Sequence, residues 1–178
     1  VLLLTVSPIA RGPLPVAAQA KLTDVQGEVL LRPSGAARWR PASDGDTLEV
    51  GDRVRVARDA EAQLAFADGS TLELRSDAEL SVVRMPASPD DETSTVVYQW
   101  GGEVRYLVSA RAILGPTDQV KEPADGPEPS ALEVHTAAAV TRGTDGVFSL
   151  SVSSDGTTTV RGERGRVGPR GSAEDLVG

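Results

Sequence analysis

The chain is 178 residues long and contains no cysteine, one methionine, one histidine and only two each of tryptophan, tyrosine and phenylalanine. Each scarcity excludes something. Without cysteine there is no disulfide, no thiolate zinc site and no cysteine nucleophile. Aromatic residues are 3% of a chain that is 39% hydrophobic, so a core must be built from Val, Leu and Ala, which suits many short strands. The single histidine, His135, has no second imidazole for a histidine metal site and no evident partners for a Ser-His-Asp device. Between Val134 and Thr136 on a strand, it is expected to face away from the side those two share.

Positive charge is also in short supply. Eighteen Lys and Arg stand against 26 Asp and Glu, a net charge of −8, which argues against nucleic acid as a partner because displacing counterions from phosphates needs concentrated cations. Arg161, Arg164, Arg166 and Arg170 form a local basic cluster, but Glu163 and Glu174 dilute it, and it reads as solvated surface. Asp90-Asp91-Glu92 lacks the alternating acidic spacing and the glycine of a calcium loop. Gly101-Gly102 is followed by neither lysine nor a helix, so no phosphate loop is present. No catalytic set, cofactor site or metal site can be assembled from these residues.

The apolar run Val1 to Val6 is far shorter than the roughly 20 residues a helix needs to cross a bilayer. It precedes Ala18-Gln19-Ala20, a small-x-small pattern of the kind signal peptidase cleaves. Residues 1–20 read either as a truncated signal peptide or as the end of a membrane anchor. Both place the domain outside the cytoplasm, periplasmic or secreted, and only the second ties it to a membrane.

From Lys21 the chain is strand after strand, with no sustained 3.6-residue apolar period. Val25 to Val29 runs into Leu30 and Leu31 as an opening strand. Leu48 and Val50 lead through Gly51-Asp52 to Val54 and Val56, and Leu64 and Phe66 lead through Asp68-Gly69 to Leu72 and Leu74. An Asp-Gly pair between alternating apolar residues predicts a hairpin, here with a two-residue turn of positive φ at both positions. Leu80 and Val82 continue the series. Val96, Tyr98 and Trp100, then Val104, Tyr106 and Val108, alternate on either side of Gly101-Gly102. That alternation predicts core or core-edge places for the aromatic residues, including Trp39. The rival reading is an aromatic surface at Trp39 and Trp100 that stacks on glycans.

Residues 114–131 carry four prolines and read as a long loop, because each proline removes a ladder donor. Asp155-Gly156-Thr157-Thr158 echoes Asp68-Gly69-Ser70-Thr71, and Gly-x-Val recurs at Gly27, Gly102 and Gly165. The expected architecture is therefore all-β with essentially no helix: a two-sheet sandwich or short β-coil built from hairpins over residues 21–170, with a tail at 171–178.

Leu132 to Val152 shows strict alternation on both sides of Arg142-Gly143-Thr144-Asp145. It reads as two half-buried strands joined by a turn. Thr144 separates Gly143 from Asp145, so this is not an RGD tripeptide. Arg142, Thr144 and Asp145 are instead candidates for partner contact or for a structural clamp, in which the five-donor guanidinium pairs with a carboxylate across the strands.

Taken in order, several pieces resemble the FecR domain family of bacterial envelope proteins. They are the Val25–Val29 opening, Trp39 with Gly45, Leu48 and Gly51-Asp52, Asp68-Gly69-Ser70, Gly102-Glu103-Val104, and Val134 and Thr136 leading to Arg142-Gly143-Thr144. The likeness spans about Leu22 to Val160. Where the family usually has proline after the threonine, this chain has Ala137. The resemblance implies an all-β extracytoplasmic module without enzymatic activity. Its role would be sensing or relaying through a protein partner in the cell envelope, and a secreted glycan-binding or structural module is the alternative.

Overall fold

The computed structural model describes residues 18–88, 93–108 and 132–169, without the side chains of 145 and 165–169. These residues form no helix and eleven strands. They are β1 (Ala20–Gln26), β2 (Val29–Arg32), β3 (Arg40–Pro41), β4 (Thr47–Leu48), β5 (Arg53–Val56), β6 (Glu61–Ala65), β7 (Thr71–Arg84), β8 (Thr95–Val108), β9 (Leu132–His135), β10 (Val140–Val152) and β11 (Thr158–Pro169). All pairs are antiparallel except β8 with β9.

The strands make one sheet that curls over its own core, because the long strands change neighbours along their length. The first part of β7 pairs with β6 and its last part with β5. The first part of β8 pairs with β9 and its last part with β10. Leu22, Leu64, Leu74, Val104 and Leu150 from one half meet Leu31, Val54, Leu80, Val97 and Val134 from the other in a single buried cluster. Each such side chain contributes about 1.5–3 kcal/mol on burial. The few aromatic residues are used sparingly: Tyr106 stacks on Phe148 with centroids 5.0 Å apart, and both are fully buried.

The bends that allow this curl fall where the sequence supplies glycine or a left-handed residue. Gly102 has φ +74°, and a Cβ there would lie 2.3 Å from the Ala78 backbone nitrogen. Opposite it, Ser76 and Asp77 take φ +43° and +63°, so β7 and β8 turn together. Gly27, at φ +77°, is crowded by Ala60 in the same way and separates β1 from β2. Val25 to Leu31 is thus two strands, and the expected single opening strand is corrected by this close approach. Ala20, the last residue of the small-x-small pattern, is buried in β1 opposite Leu48.

The two Asp-Gly hairpins are the same turn. Phe66 N bonds Ser70 O, and Gly69 N bonds Phe66 O; Ser153 N bonds Thr157 O, and Gly156 N bonds Ser153 O. Gly69 and Gly156 have φ +86° and +84°, while each aspartate accepts the backbone N–H two residues on, at 2.8 and 2.9 Å. This is the three-residue loop that ends in a left-handed glycine. The expected two-residue turn is replaced because aspartate caps the turn with its side chain and leaves positive φ to glycine alone.

Gly51-Asp52 closes another corner. The buried Asp52 carboxylate accepts Ser34 N at 2.7 Å and Glu49 N at 2.9 Å, while Gly51 N bonds Val82 O at 2.8 Å. Val50 sits outside that corner and is exposed, unlike Leu48.

Candidate functional site

Three side-chain constellations stand out on this frame. The first lies on the outer face of the half built from β2, β5, β7 and β8. Strand β5 alternates Arg53 and Arg55 outward with Val54 and Val56 inward. Both arginines pair with Glu79 of β7, Arg55 through Nε at 2.9 Å and Nη2 at 2.6 Å. The Arg53 guanidinium stands 4.2 Å from the Trp100 ring centroid, and those of Arg55 and Arg32 stand 4.7 and 5.1 Å from Trp39. Tyr98 lies 4.4 Å from Trp100, and Trp100 Nε1 donates to Ser81 Oγ at 3.3 Å. Arg53 Nε is buried without a hydrogen-bond acceptor, and the π-face of Trp100 is the electron-rich group beside it.

Trp100 is therefore not a core residue: it is 50% exposed, while Trp39 and Tyr98 are partly exposed and Tyr106 is enclosed. Trp100 alone departs from the expected core or core-edge placement, and for a definite reason. Leu80 faces Gln99 and Glu79 faces Gly101, which leaves Trp100 as an extra residue in β8. This bulge shifts the inward series from Val97 and Gln99 to Val104, Tyr106 and Val108. Gln99 takes the inward place and bonds Gly102 O at 2.9 Å, Leu150 O at 3.2 Å and the Tyr106 hydroxyl at 2.8 Å. Its role had no signal in the pattern, because a lone Gln among apolar residues reads as an outward position.

The second constellation joins β9 and β10. Arg142 Nε donates to Glu133 Oε2 at 2.8 Å, and His135 Nε2 bonds the other carboxylate oxygen. Glu133 is 9% exposed, whereas Arg142 and His135 keep about a third of their side chains in solvent. Burial opposes the charge on Glu133, but the bonds and charges of Arg142 and His135 outweigh it and hold the carboxyl below its ordinary 4.5. His135 and Glu133 lie opposite Val140 and Arg142 on the face away from Val134.

Arg142 to Asp145 is not a turn. It lies inside β10, a continuous strand from Val140 to Val152, and the turn falls earlier at Thr136–Ala139. There the Thr136 hydroxyl donates to Ala139 O at 3.2 Å and accepts Ala138 N and Ala139 N. Gly143 is needed for packing rather than turning, since a Cβ would meet the Phe148 ring at 2.5 Å. Thr144 is an extra residue between the Gly143–Val167 and Asp145–Arg166 pairs, and it is partly exposed. The Asp145 side chain lies outside those described.

The third constellation is the last strand. Among the described residues β11 pairs with β10 alone and has a free outer edge. Arg105 of β8 bridges Glu73 of β7 and Glu163 of β11, at 3.3 and 2.9 Å, and its hydrogen bond to Glu163 holds that carboxyl below its ordinary range. Arg161 and Arg164 are exposed; the Arg166 side chain, Arg170, residues 89–92 and the Pro-rich 114–131 lie outside the described parts.

Among the described residues no group of three His, Asp or Glu side chains is placed to hold a metal ion, and no helix is long and apolar enough to cross a membrane. Compared with known protein families, curated proteins and solved structures, the chain matches none.

Proposed function

We propose that this protein is a FecR-like, non-enzymatic module of the bacterial cell envelope, acting outside the cytoplasm in sensing or relay through contact with another protein. The observation that carries this reading is β11, a strand of twelve residues whose outer edge has no partner among the described residues. Such an edge offers a row of backbone donors and acceptors onto which a partner can add a strand. Exposed Arg161, Glu163 and Arg164 keep that edge from indiscriminate pairing. His135 supports the non-enzymatic reading, since its Nε2 bonds Glu133, a carboxylate that Arg142 also holds, rather than a hydroxyl nucleophile.

A photo-crosslinking side chain placed at Val160 or Arg161 in cells is expected to trap one discrete envelope protein, while the same group at Lys21 on the far β1 traps none. Equal trapping from both places, or none from β11, removes strand docking from the account. The relay role further expects a membrane helix and a cytoplasmic segment ahead of Val1 in the full reading frame. Only Met and a few basic residues there would end it.

A second reading, a secreted glycan-binding module, is favoured by one observation: Trp100 is half exposed and held in place by Arg53 and Tyr98.

A further inference from the structure

Trp100 does not stand on an open plain. It forms one wall of an open cleft of about 540 Å3, made where β7, β8 and the β10–β11 turn come together at one end of the sheet. The cleft exists because of the bend itself. Ser76 and Asp77 swing β7 outward over Gly102, and the Ser153–Gly156 turn projects beside them. Apart from the indole and Val152, its chemistry is polar: the Asp77 and Glu103 carboxylates, the Arg58 guanidinium and the hydroxyls of Ser76, Ser151 and Ser154. Other clefts of about 130 and 230 Å3 on this surface contain no aromatic side chain.

We propose that this cleft binds a neutral, hydroxyl-rich oligosaccharide, with a sugar ring against Trp100 and its hydroxyl groups on Asp77 and Glu103. Three features select that ligand. An indole braced by a guanidinium and a tilted tyrosine ring, and still half exposed, is a rigid apolar surface at low entropic cost, suited to the C–H face of a sugar. Exposed carboxylates accept two hydrogen bonds each from vicinal hydroxyls, and serine hydroxyls both donate and accept. Two carboxylates against one guanidinium disfavour an acidic ligand, and Arg58 is already engaged with Asp77 at 3.2 Å. A peptide is a poorer match, because the polar lining provides no apolar pocket for side-chain anchors.

This inference rests on the glycan-binding reading and is independent of the β11 edge, so the crosslinking test and the sugar test fail separately. The chain has only two tryptophans, so a Trp39→Phe variant leaves Trp100 as the sole indole reporter. Titration of that variant with maltotetraose, cellotetraose and chitotetraose is expected to give a saturable fluorescence change with at least one of them. Trp100→Ala, followed by calorimetry, and Glu103→Gln, followed by fluorescence, are each expected to weaken binding at least about tenfold, about 1.4 kcal/mol. Glu103→Gln is a conservative surface change and decides the matter if Trp100→Ala does not fold. No saturation by any tetrasaccharide up to about 10 mM, the weak end of specific affinity, overturns the proposal. So does preferential binding of tetragalacturonate, or binding that survives both substitutions.

Discussion

The Tyr106 hydroxyl donates to Gln99 Oε1 at 2.8 Å inside the core, seven residues along the same strand and across its bend. Through Nε2, Gln99 also holds the Gly102 and Leu150 carbonyls, so one side chain ties together the bend in β8 and the neighbouring β10. Burial pushes the Tyr106 hydroxyl well above its ordinary pKa, and it stays a donor at any physiological pH. Tyr106→Phe leaves the Gln99 oxygen buried and unpaired and is expected to cost about 1–3 kcal/mol. Urea unfolding measures this cost. A Tyr106→Phe, Gln99→Leu double variant is expected to lose less than the sum of the single changes.

Arg142→Ala removes one of two partners from a nearly buried carboxylate. Breaking a buried pair costs about 3–5 kcal/mol, and the one-third exposure of Arg142 reduces this to about 1–3 kcal/mol. Adding Glu133→Gln is expected to restore part of the loss. A variant with an unchanged melting temperature that no longer binds its partner would make Arg142 a contact residue instead.

The same cluster sets a pH dependence. A carboxyl whose folded pKa lies below its unfolded one contributes stability fully above the unfolded value, and that contribution is lost as pH falls through the folded value. For Glu133 the loss therefore runs downward from its ordinary 4.5. Chemical denaturation in steps from pH 7 to pH 3 is expected to show stability falling at the acid end, with a smaller fall in Glu133→Gln. An identical fall in both proteins contradicts the assignment.

Asp155 is held by Ser153 Oγ and Thr157 N, and its carboxyl is lowered to about 2. Carboxyl-detected NMR titration is expected to find it among the most acidic groups of the chain. Asp155→Ala is expected to loosen the β10–β11 turn, seen as faster amide exchange at Ser153 and Gly156.

Glycines separate by what surrounds them. Gly35→Ala meets no atom within 4 Å and bears only the cost of positive φ, about 1 kcal/mol. Gly102→Ala drives a Cβ into the Ala78 backbone and is expected to prevent folding or to cost several times as much. Comparison of the two melting temperatures checks the bend.

Much of this fold is legible in the sequence, and the misreadings share one cause. Apolar alternation locates β6, β7 and the core ends of β8 and β10, and the repeated Asp-Gly-[Ser/Thr]-Thr phrase marks two turns of identical bonding. What alternation cannot show is a bulge. Trp100 is an extra residue in β8 and Thr144 an extra residue in β10, and past each one the face that a given parity implies is reversed. Gly143 looked like a turn residue, but its missing side chain makes room for Phe148. The exposed Trp100, and with it the cleft, was hidden by a regular Val-x-Tyr-x-Trp pattern that turns its larger members outward.

If β11 receives a partner's strand along the edge left open among the described residues, as proposed, a proline scan from Thr158 to Gly162 is the decisive measurement. In an antiparallel strand alternate N–H groups face β10 and the outer edge. Proline at inward positions is expected to lower the melting temperature. At outward positions it is expected to leave the melting temperature unchanged and abolish binding of the partner trapped by crosslinking. Binding that survives proline at every outward position contradicts the account.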